Sequence, residues 1–339
     1  MQQNTALIRL DAIRENARTF SALAKGSKLC AVVKADAYGH GAAMVAQALS
    51  VQADMFAVAL VEEGMQLRCA GIAKDILVLV PALSESEVRR AIYYDLILSV
   101  GDARDYALIA RVSQKTGGCV RCHLKVNTGM NRFGFDYDGF SSFTSGRLTD
   151  RIAVEGIYSH FYRPENETVT HRQYFLFCNF CKEAERVFGK LTKHIAATGG
   201  TLADKEYHLD MVRIGIGLYG YLPGGFTKKD LALQRAMSVF ASVAAEREYH
   251  GGGAGYGDYV PKGERLCVVR AGYADGLFRK GVGTNDLCMD VFVAEADREK
   301  YQSVCILSDA EAYAKKYGTI AYEVLCKAGM RAVREYVDG

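Results

Sequence analysis

Short apolar runs alternate with amphipathic stretches along the first two thirds of the chain. Each run has the length of a buried strand, whereas the stretches between the runs repeat apolar side chains every three or four residues, as helices do. Strands are predicted at 55–60, 76–80, 96–100, 120–126, 153–158 and 194–197, and helices at 62–68, 86–92 and 102–112. Repeated strand–helix units predict a parallel (β/α)8 TIM barrel, with its chemistry at the carboxyl ends of the strands.

The two ends of the chain have a different pattern. Residues 6–10 alternate like a strand, and Asp11 is the predicted N-cap of a helix that begins at residue 12. After Pro223-Gly224-Gly225, strand-like runs return at 237–249, 266–271, 287–293 and 303–307, with one short helix near 309–316. We therefore expect an α/β barrel domain at 8–227 and a mostly β domain at 228–339, with the N-terminal strand 1–7 packed on the latter.

The composition is that of an ordinary globular protein and predicts neither a nucleic-acid nor a membrane partner. Of the 339 residues, 50% are hydrophobic and 24% are charged, and the net charge of +3 is spread without basic blocks. No signal-like segment opens the chain, and the longest apolar stretch, 76–83, is too short for a bilayer. A cytoplasmic location is expected, although a larger membrane-attached parent protein stays open.

The ten cysteines are expected to be reduced thiols, because a chain of this length can build its core without disulfides. Two Cys-x-x-Cys pairs occur, Cys119 with Cys122 and Cys178 with Cys181. The first lies in a predicted strand and the second in a predicted helix, whereas structural zinc usually lies on turns. No metal site is therefore predicted.

One lysine has the position expected of a reactive amine. The apolar run 29–33 ends at Lys34, and small and turn-forming residues follow until helical spacing resumes at Ala42. A lysine at the end of a buried strand is partly desolvated, which favours the neutral amine that condenses with an aldehyde. By position alone, such a lysine more often only extends its amine to water.

The whole segment around this lysine resembles the pyridoxal-phosphate motif of the alanine racemases, the fold-type III amino-acid racemases. It reads Val32-Val33-Lys34-Ala35-Asp36-Ala37-Tyr38-Gly39-His40-Gly41. The resemblance implies pyridoxal 5'-phosphate as the cofactor, with Lys34 and Tyr38 among the residues that bind it. Segment 123–134 resembles the family's stretch that carries a carbamylated lysine and a substrate-binding arginine, which by that match are Lys125 and Arg132.

The rest of the implied cofactor site comes from three further segments. Segment 211–220 resembles the family's phosphate-binding stretch, which implies that Gly215 and Ile216 bind the phosphate and that Arg213 faces the pyridine nitrogen. Because arginine keeps its proton, that nitrogen stays unprotonated, and a weaker electron sink suits racemisation over transamination. The remaining matches are His160 as the pocket histidine and Thr198 as a phosphate-binding hydroxyl.

Three side chains of the second domain match family positions as well. Tyr256, between Gly255 and Gly257, resembles the catalytic tyrosine, and its flanking glycines distinguish it among the 20 tyrosines. Met289, in Cys288-Met289-Asp290, matches a substrate-binding position, and Tyr322 matches a phosphate-contacting one.

The resemblance implies racemisation of L- and D-alanine by two bases, Lys34 and Tyr256, which supplies D-alanine for peptidoglycan of the cell wall. Inversion needs a second acid on the opposite face of the planar carbanion, because a single base returns the proton to the face it left. In the family the tyrosine comes from the partner subunit, so a homodimer with shared active sites is implied. The substrate is expected to be a small amino acid.

Several departures from the family keep alternatives open. Ile214 replaces a proline, Ala197 replaces an asparagine, and the connection at 281–287 is short. A serine or broad-specificity racemase of the vancomycin-resistance type is the nearest alternative, and a non-catalytic pyridoxal-phosphate-binding protein or a basic amino-acid decarboxylase is more distant. Alanine is preferred because Tyr322 and Met289 would crowd side chains much larger than methyl.

Overall fold

The computed structural model describes residues 4–146, 148–227, 231–256, 260–279, 287–295 and 298–338. The chain forms two compact units. One consists of Ile13–Ala37 and Ala42–Gln234, and the other of Met1–Ala12, Tyr38–Gly41 and Arg235–Gly339. The domain boundary expected after Thr227 borders residues 228–230, which lie outside the described residues, as does the start of the expected strand 1–7. The domain bounds therefore stay a prediction.

The first unit is a closed parallel barrel, which confirms the predicted fold class. After β1 (Thr5–Arg9), which belongs to the second unit, its strands are β2 (Lys28–Val32), β3 (Met55–Val58), β4 (Ile76–Val78), β5 (Ile97–Val100), β6 (Val120–Lys125), β7 (Ile152–Tyr158), β8 (Thr192–His194) and β9 (Met211–Ile214). Sequential strands pair in parallel from β2 to β8, and β9 pairs with β2. The Arg213 N–H donates to Ala196 O at 3.0 Å and closes the ring just beyond β8.

Helices lie between the strands of the barrel, and the first of them leads from β1 into β2. They are Leu10–Leu23, Ala42–Ala48, Val61–Cys69, Glu85–Tyr93, Ala103–Thr116, Tyr137–Thr144, Glu167–Phe188 and Thr198–Ala203. Asp102 accepts the N–H groups of Arg104 and Asp105, and Gly117 ends the same helix with φ of 75°. Side-chain acceptors at one end and a left-handed glycine at the other are the usual stop signals of helices.

The second unit is built on a six-stranded sheet with the order β12-β11-β10-β1-β14, and β13 pairs with β10. Its strands beyond β1 are β10 (Met237–Glu248), β11 (Arg265–Val269), β12 (Phe292–Glu295), β13 (Ser303–Leu307) and β14 (Val333–Val337), and its helices are Ala310–Tyr317 and Ala321–Lys327. Ala241, Val243, Cys267, Val269 and Ala271 form its buried core. The prediction of a mostly β second domain is confirmed.

Four local predictions were wrong. The first helix begins at Leu10, and Asp11 pairs with Arg9 at 2.6 Å instead of capping it. Strand β8 covers Thr192–His194 and not 194–197, because beyond His194 the chain pairs with β9 only through an isolated bridge between Ala197 and Arg213. The run 287–293 contains a turn closed by Cys288 N–H to Val291 O at 2.8 Å, so β12 begins only at Phe292. The helix Ala321–Lys327 and β14 were missed.

Candidate active site

Lys34 lies two residues after the end of β2 and precedes a left-handed turn. Ala35, Asp36, Ala37 and Tyr38 all have φ between 52° and 54°. L-residues other than glycine, asparagine and aspartate seldom adopt this region, and each residue there costs roughly 1–2 kcal/mol. The turn is closed by Ala37 N–H to Val33 O at 2.8 Å, and Asp36 Oδ1 accepts Ala42 N–H at 2.7 Å. Strain held next to one candidate side chain is typical of functional sites.

Three neighbouring strands bring a further set of candidate side chains to one level of the barrel. Lys125 on β6 is in register with Tyr158 on β7, which is in register with His194 on β8. The Tyr158 and His194 rings are stacked at 4.9 Å with an interplanar angle of 4°, and Lys125 Nζ lies 4.7 Å from the centre of the Tyr158 ring. The Tyr158 hydroxyl lies 2.6 Å from Ser99 Oγ. Its ring is thereby fixed between the lysine and the histidine.

Arg213 is the centre of this level and is only 3% exposed. Its Nη1 donates to His194 Nδ1 at 2.8 Å and to His194 O at 3.0 Å. Its Nη2 donates to Ser159 O at 2.7 Å and lies 3.2 Å from both His160 Nδ1 and Ile195 O. Within the described part of the chain, the hydrogen bonds of this side chain all come from Nη1 and Nη2, which leaves Nε–H for another acceptor. A buried guanidinium therefore presents one unused donor.

The hydrogen bonds of Arg213 also determine which ring nitrogen of each histidine carries the proton. Since Arg213 can only donate, His160 Nδ1 and His194 Nδ1 must be acceptors, and each ring carries its proton on Nε2. The Nε2–H of His194 then donates to His123 Nδ1 at 2.9 Å. Desolvation, followed by the charge of Arg213, holds the pKa values of His160 and His194 well below their usual range. Both rings are neutral at neutral pH.

Lys125 is a buried amine with a cation on two sides. Desolvation lowers its pKa well below the usual range, and the charges of Arg213 and Arg132 lower it further. No carboxylate of the described residues forms an ion pair with it. A neutral amine reacts with carbon dioxide, and the resulting carbamate would be an anion attracted by the charges of both arginines. Arg132 itself is exposed.

The N-terminal residues of two short helices lie close together at one edge of the barrel. Thr198 begins the helix Thr198–Ala203, and its hydroxyl accepts Gly217 N–H at 3.4 Å. Ile216 begins the 3-10 helix Ile216–Tyr219, directly after Gly215. A Cβ at Gly217 would come within 2.5 Å of the Phe20 ring, so a side chain there is excluded. N–H groups at helix starts and a hydroxyl are suitable ligands for a phosphate.

The second unit brings together two of the predicted cofactor ligands. The rings of Tyr38 and Tyr322 lie 6.0 Å apart at 53°. Burial raises the pKa of Tyr322 to about 12, so its hydroxyl stays a donor. A Cβ at Gly39 would lie 2.4 Å from Leu325 O, so the glycine permits close packing of this segment on the helix Ala321–Lys327. The ring contact and the glycine thus pack Tyr38 and its segment on the helix Ala321–Lys327.

The remaining candidates of the second unit lie on loops. Tyr256 is 73% exposed, and Met289 is also exposed. The loop of Met289 is held by Ala274 N–H, which donates to Met289 O at 3.0 Å. Arg331 joins the adjacent acids by donating to Asp275 and Asp290, in each case at 2.9 Å.

Sequence reasoning missed the side chains that support Arg213. His123, Tyr158 and His194 lie in apolar strands, where an inward histidine or tyrosine has the pattern of core. The feature that could have identified them is the register of the strands β6, β7 and β8, which brings the three residues close together inside the barrel. Ser159 adds a hydroxyl 2.8 Å from that of Thr128. Among the described residues, no cluster of histidine, cysteine and acidic side chains could hold a metal ion, and all ten cysteines are free thiols.

None of the helices in the described residues combines the length and apolar character needed to cross a membrane.

The profile of the alanine racemase N-terminal domain matches residues 8–223, and that of the C-terminal domain matches residues 236–336. Alanine racemase 1 of Oceanobacillus iheyensis is 32% identical, with 97% of each chain covered. An alanine racemase of Lactobacillus delbrueckii subsp. bulgaricus is 34% identical over 97% of this chain and 96% of its own.

The solved structures agree with these sequence relatives. An alanine racemase of Clostridium difficile 630 superposes with a TM-score of 0.92 at 28% identity, covering 100% of this chain and 97% of its own. The profile matches together span most of the sequence, and the relatives match from end to end. The chain therefore belongs to the alanine racemase family of amino-acid racemases.

Proposed function

We propose that the protein interconverts L-alanine and D-alanine with pyridoxal 5'-phosphate as its cofactor. The observation that carries the proposal is the unused Nε–H of the buried Arg213, at the level of Lys125 and Tyr158. A pyridine nitrogen is an acceptor of the size and polarity that such a donor needs, and an arginine opposite it keeps that nitrogen unprotonated. Membership of the alanine racemase family supports the same cofactor.

The family resemblance implies the remaining contacts of the cofactor. The N–H groups of Gly215 and Ile216 and the hydroxyl of Thr198 would hold the phosphate, together with the hydroxyls of Tyr38 and Tyr322. Lys34 would bind the aldehyde carbon, and His160 would support the ring. When bound, the cofactor supplies an electron sink that makes the α-proton of the amino acid acidic.

Two proton-transfer groups would act on opposite faces of the substrate. Lys34 would hold or release a proton at Cα on one face, since a partly desolvated amine exchanges protons more readily near neutral pH. On the other face we place Tyr256 of the partner subunit, as the family resemblance implies. The exposure of Tyr256 on the single chain supports a role at a subunit interface. The protein would accordingly be a homodimer with shared sites.

Arg132 would bind the substrate carboxylate through its guanidinium fork, and a carbamate on Lys125 would orient it. Met289 and Tyr322 would limit the side-chain pocket to a size near methyl.

D-Alanine produced in the cytoplasm would serve peptidoglycan synthesis. The free state of all ten cysteines supports a reducing compartment.

The test compares initial rates with L-alanine and L-serine in protein loaded with pyridoxal phosphate. We expect alanine to be racemised faster by at least about tenfold, because Met289 and Tyr322 would crowd a side chain larger than methyl. Lys34→Ala should lose the visible absorbance of lysine-bound cofactor, whereas Lys28→Ala, at the opposite end of β2, should keep it. Faster serine turnover would instead assign a serine or broad-specificity racemase.

A second comparison separates an enzyme from a pyridoxal-phosphate carrier. Tyr256→Phe should retain the bound cofactor and lose racemisation by a factor of about 10² or more, because it removes one proton donor. Tyr93→Phe, a change at another exposed tyrosine, should leave the rate unchanged. Full activity of Tyr256→Phe would remove this tyrosine from the mechanism, and an inactive wild-type protein with bound cofactor would identify a carrier.

A further inference from the structure

The left-handed turn after Lys34 needs an external partner at the point where strand pairing ends. The pairing of β2 with β3 continues as far as Val33 N–H, which donates to Ala57 O at 2.9 Å. At Ala35 the chain enters the left-handed region, and its N–H can no longer follow the ladder. A backbone donor here must find another acceptor, or the turn loses a hydrogen bond where its conformation is already strained.

That acceptor is Glu63. Its Oε1 accepts Ala35 N–H at 2.7 Å. Its Oε2 accepts Ala59 N–H at 2.6 Å and Leu60 N–H at 3.1 Å, in the loop that leads from β3 into the helix Val61–Cys69. One carboxylate thus ties the turn after β2 to the loop after β3.

Helix capping alone does not account for this arrangement. Glu63 occupies the third position of its helix, where a carboxylate that accepts the N-cap N–H is common. That role needs only Oε2, whereas Oε1 is directed to a different strand end. The helix is also firmly placed, since a Cβ at Gly64 would lie 2.8 Å from the Leu96 side chain. The hydrogen bond to Ala35 therefore anchors the turn to the firmly placed helix Val61–Cys69.

We propose that Glu63 is a positioning residue that holds the strained turn after Lys34 in place and thereby directs the Lys34 amine. The inference rests on the proposed function only for what the amine does. Charge-assisted bonds to backbone N–H groups contribute more than neutral ones, and the residue that receives this one is adjacent to Lys34. When Glu63 is lost, the turn should open locally while the barrel stays folded.

The experiment compares Glu63→Gln with Glu62→Gln. An amide keeps the shape of the side chain but can direct its single oxygen to only one of the two loops. Glu62 lies next to it on the same helix and forms an exposed ion pair with Arg90 at 2.7 Å, so it is a matched control. Hydrogen–deuterium exchange of the peptide covering 34–41 is measured in cofactor-free protein, together with thermal unfolding.

In Glu63→Gln we expect the rate of hydrogen exchange in 34–41 to rise roughly tenfold or more, because a charge-assisted hydrogen bond is lost. The exchange rates elsewhere in the barrel should change little. In loaded protein, kcat should fall at least about tenfold while KM for alanine changes little, since a misdirected proton-transfer group affects the chemical step. Borohydride reduction should trap less pyridoxyl group on Lys34. Glu62→Gln should match wild type in all three measurements.

Glu63→Ala, which leaves no acceptor for Ala35 N–H, is measured beside Glu63→Gln. Unchanged exchange in 34–41 for Glu63→Ala, or an equal rise in Glu62→Gln, would overturn the proposal. If Glu63→Gln does not fold, Glu63→Asp takes its place, because it keeps the charge at the helix start but is too short to reach both loops. The exchange measurement needs no cofactor and no turnover. A wild-type protein that racemises nothing would therefore defeat the proposed function and leave the assignment of Glu63 to be decided by exchange.

Discussion

At the scale of single residues, the site depends on neutral groups held around one cation. Desolvation, followed by the charge of Arg213, lowers the pKa values of His160, His194 and Lys125, and Arg213 donates a hydrogen bond to each of the two histidines. A buried amine, two buried imidazoles and a guanidinium would repel one another if all were charged. The distribution of protons is consequently fixed by the arginine, which cannot change its own state.

The lowered pKa of the buried Lys125 amine leads to a prediction about carbamylation. With ¹³C-labelled bicarbonate near neutral pH, we expect a carbamate signal in the ¹³C NMR spectrum that disappears in Lys125→Ala. Lys193 is the matched control, because its ion pair with Glu185 at 2.9 Å raises its pKa and keeps it protonated. Lys193→Ala should leave the signal intact. A signal that survives Lys125→Ala would assign the carbamate to another amine.

At the scale of elements, the polar layer inside the barrel should make folding sensitive to acid. Desolvation, then the charge of Arg121, lowers the pKa of His123 to about 3 from an ordinary value near 6.5. Because the folded-state pKa lies below the unfolded one, protonation favours unfolding. The stabilising contribution is complete above about pH 6.5 and is lost progressively as the pH falls from there towards about 3.

We predict that His123→Gln makes this acid-induced decline shallower by about 1.4 kcal/mol per pH unit, the contribution of one such group. Urea unfolding at several pH values between about 6.5 and 4 measures the slope. His171→Gln should leave it unchanged, since that side chain is exposed. Equal slopes in wild type and His123→Gln would mean that His123 is not the group that titrates.

The close approach of two strands gives a second prediction at this scale. A Cβ at Gly156 on β7 would lie 2.7 Å from the His123 ring, so Gly156→Ala must push the ring away from His194. We expect a loss of about 1–3 kcal/mol in the free energy of unfolding. Gly139→Ala, in a helix with open space around the added methyl, should instead be neutral or stabilising by about 0.5–1 kcal/mol. Thermal and urea unfolding measure both variants.

The strand ends could be predicted from sequence, whereas the supporting layer could not. Lys34 was found because apolar periodicity marks where a buried strand stops, and Lys125 and Arg213 were found through the family resemblance of their segments. His123 and His194 needed the register between strands, which a single sequence does not encode locally. The left-handed turn was also beyond prediction, because alanine favours the right-handed region and only contacts such as that from Glu63 make the alternative stable.

At the scale of the whole molecule, the proposed homodimer predicts that two inactive variants restore activity together. In a mixed dimer of Lys34→Ala and Tyr256→Phe, one shared site would carry both changes and the other would carry neither. Random reassociation should therefore yield about one quarter of the wild-type activity, since half of the dimers are mixed and each has one intact site. The rate after mild dissociation and remixing measures this. Recovery of none would indicate that each chain supplies both residues of its own site.

The turn after Lys34 has one further consequence, which concerns chirality. Its φ and ψ values, near +52° and +49°, are the mirror image of those in an ordinary right-handed helix. A D-amino acid would adopt them without steric conflict, so semisynthetic protein with D-alanine at position 35 or 37 should gain roughly 1–2 kcal/mol of stability per replacement. The backbone next to the reactive amine thus has the handedness of the enantiomer that the enzyme is proposed to make.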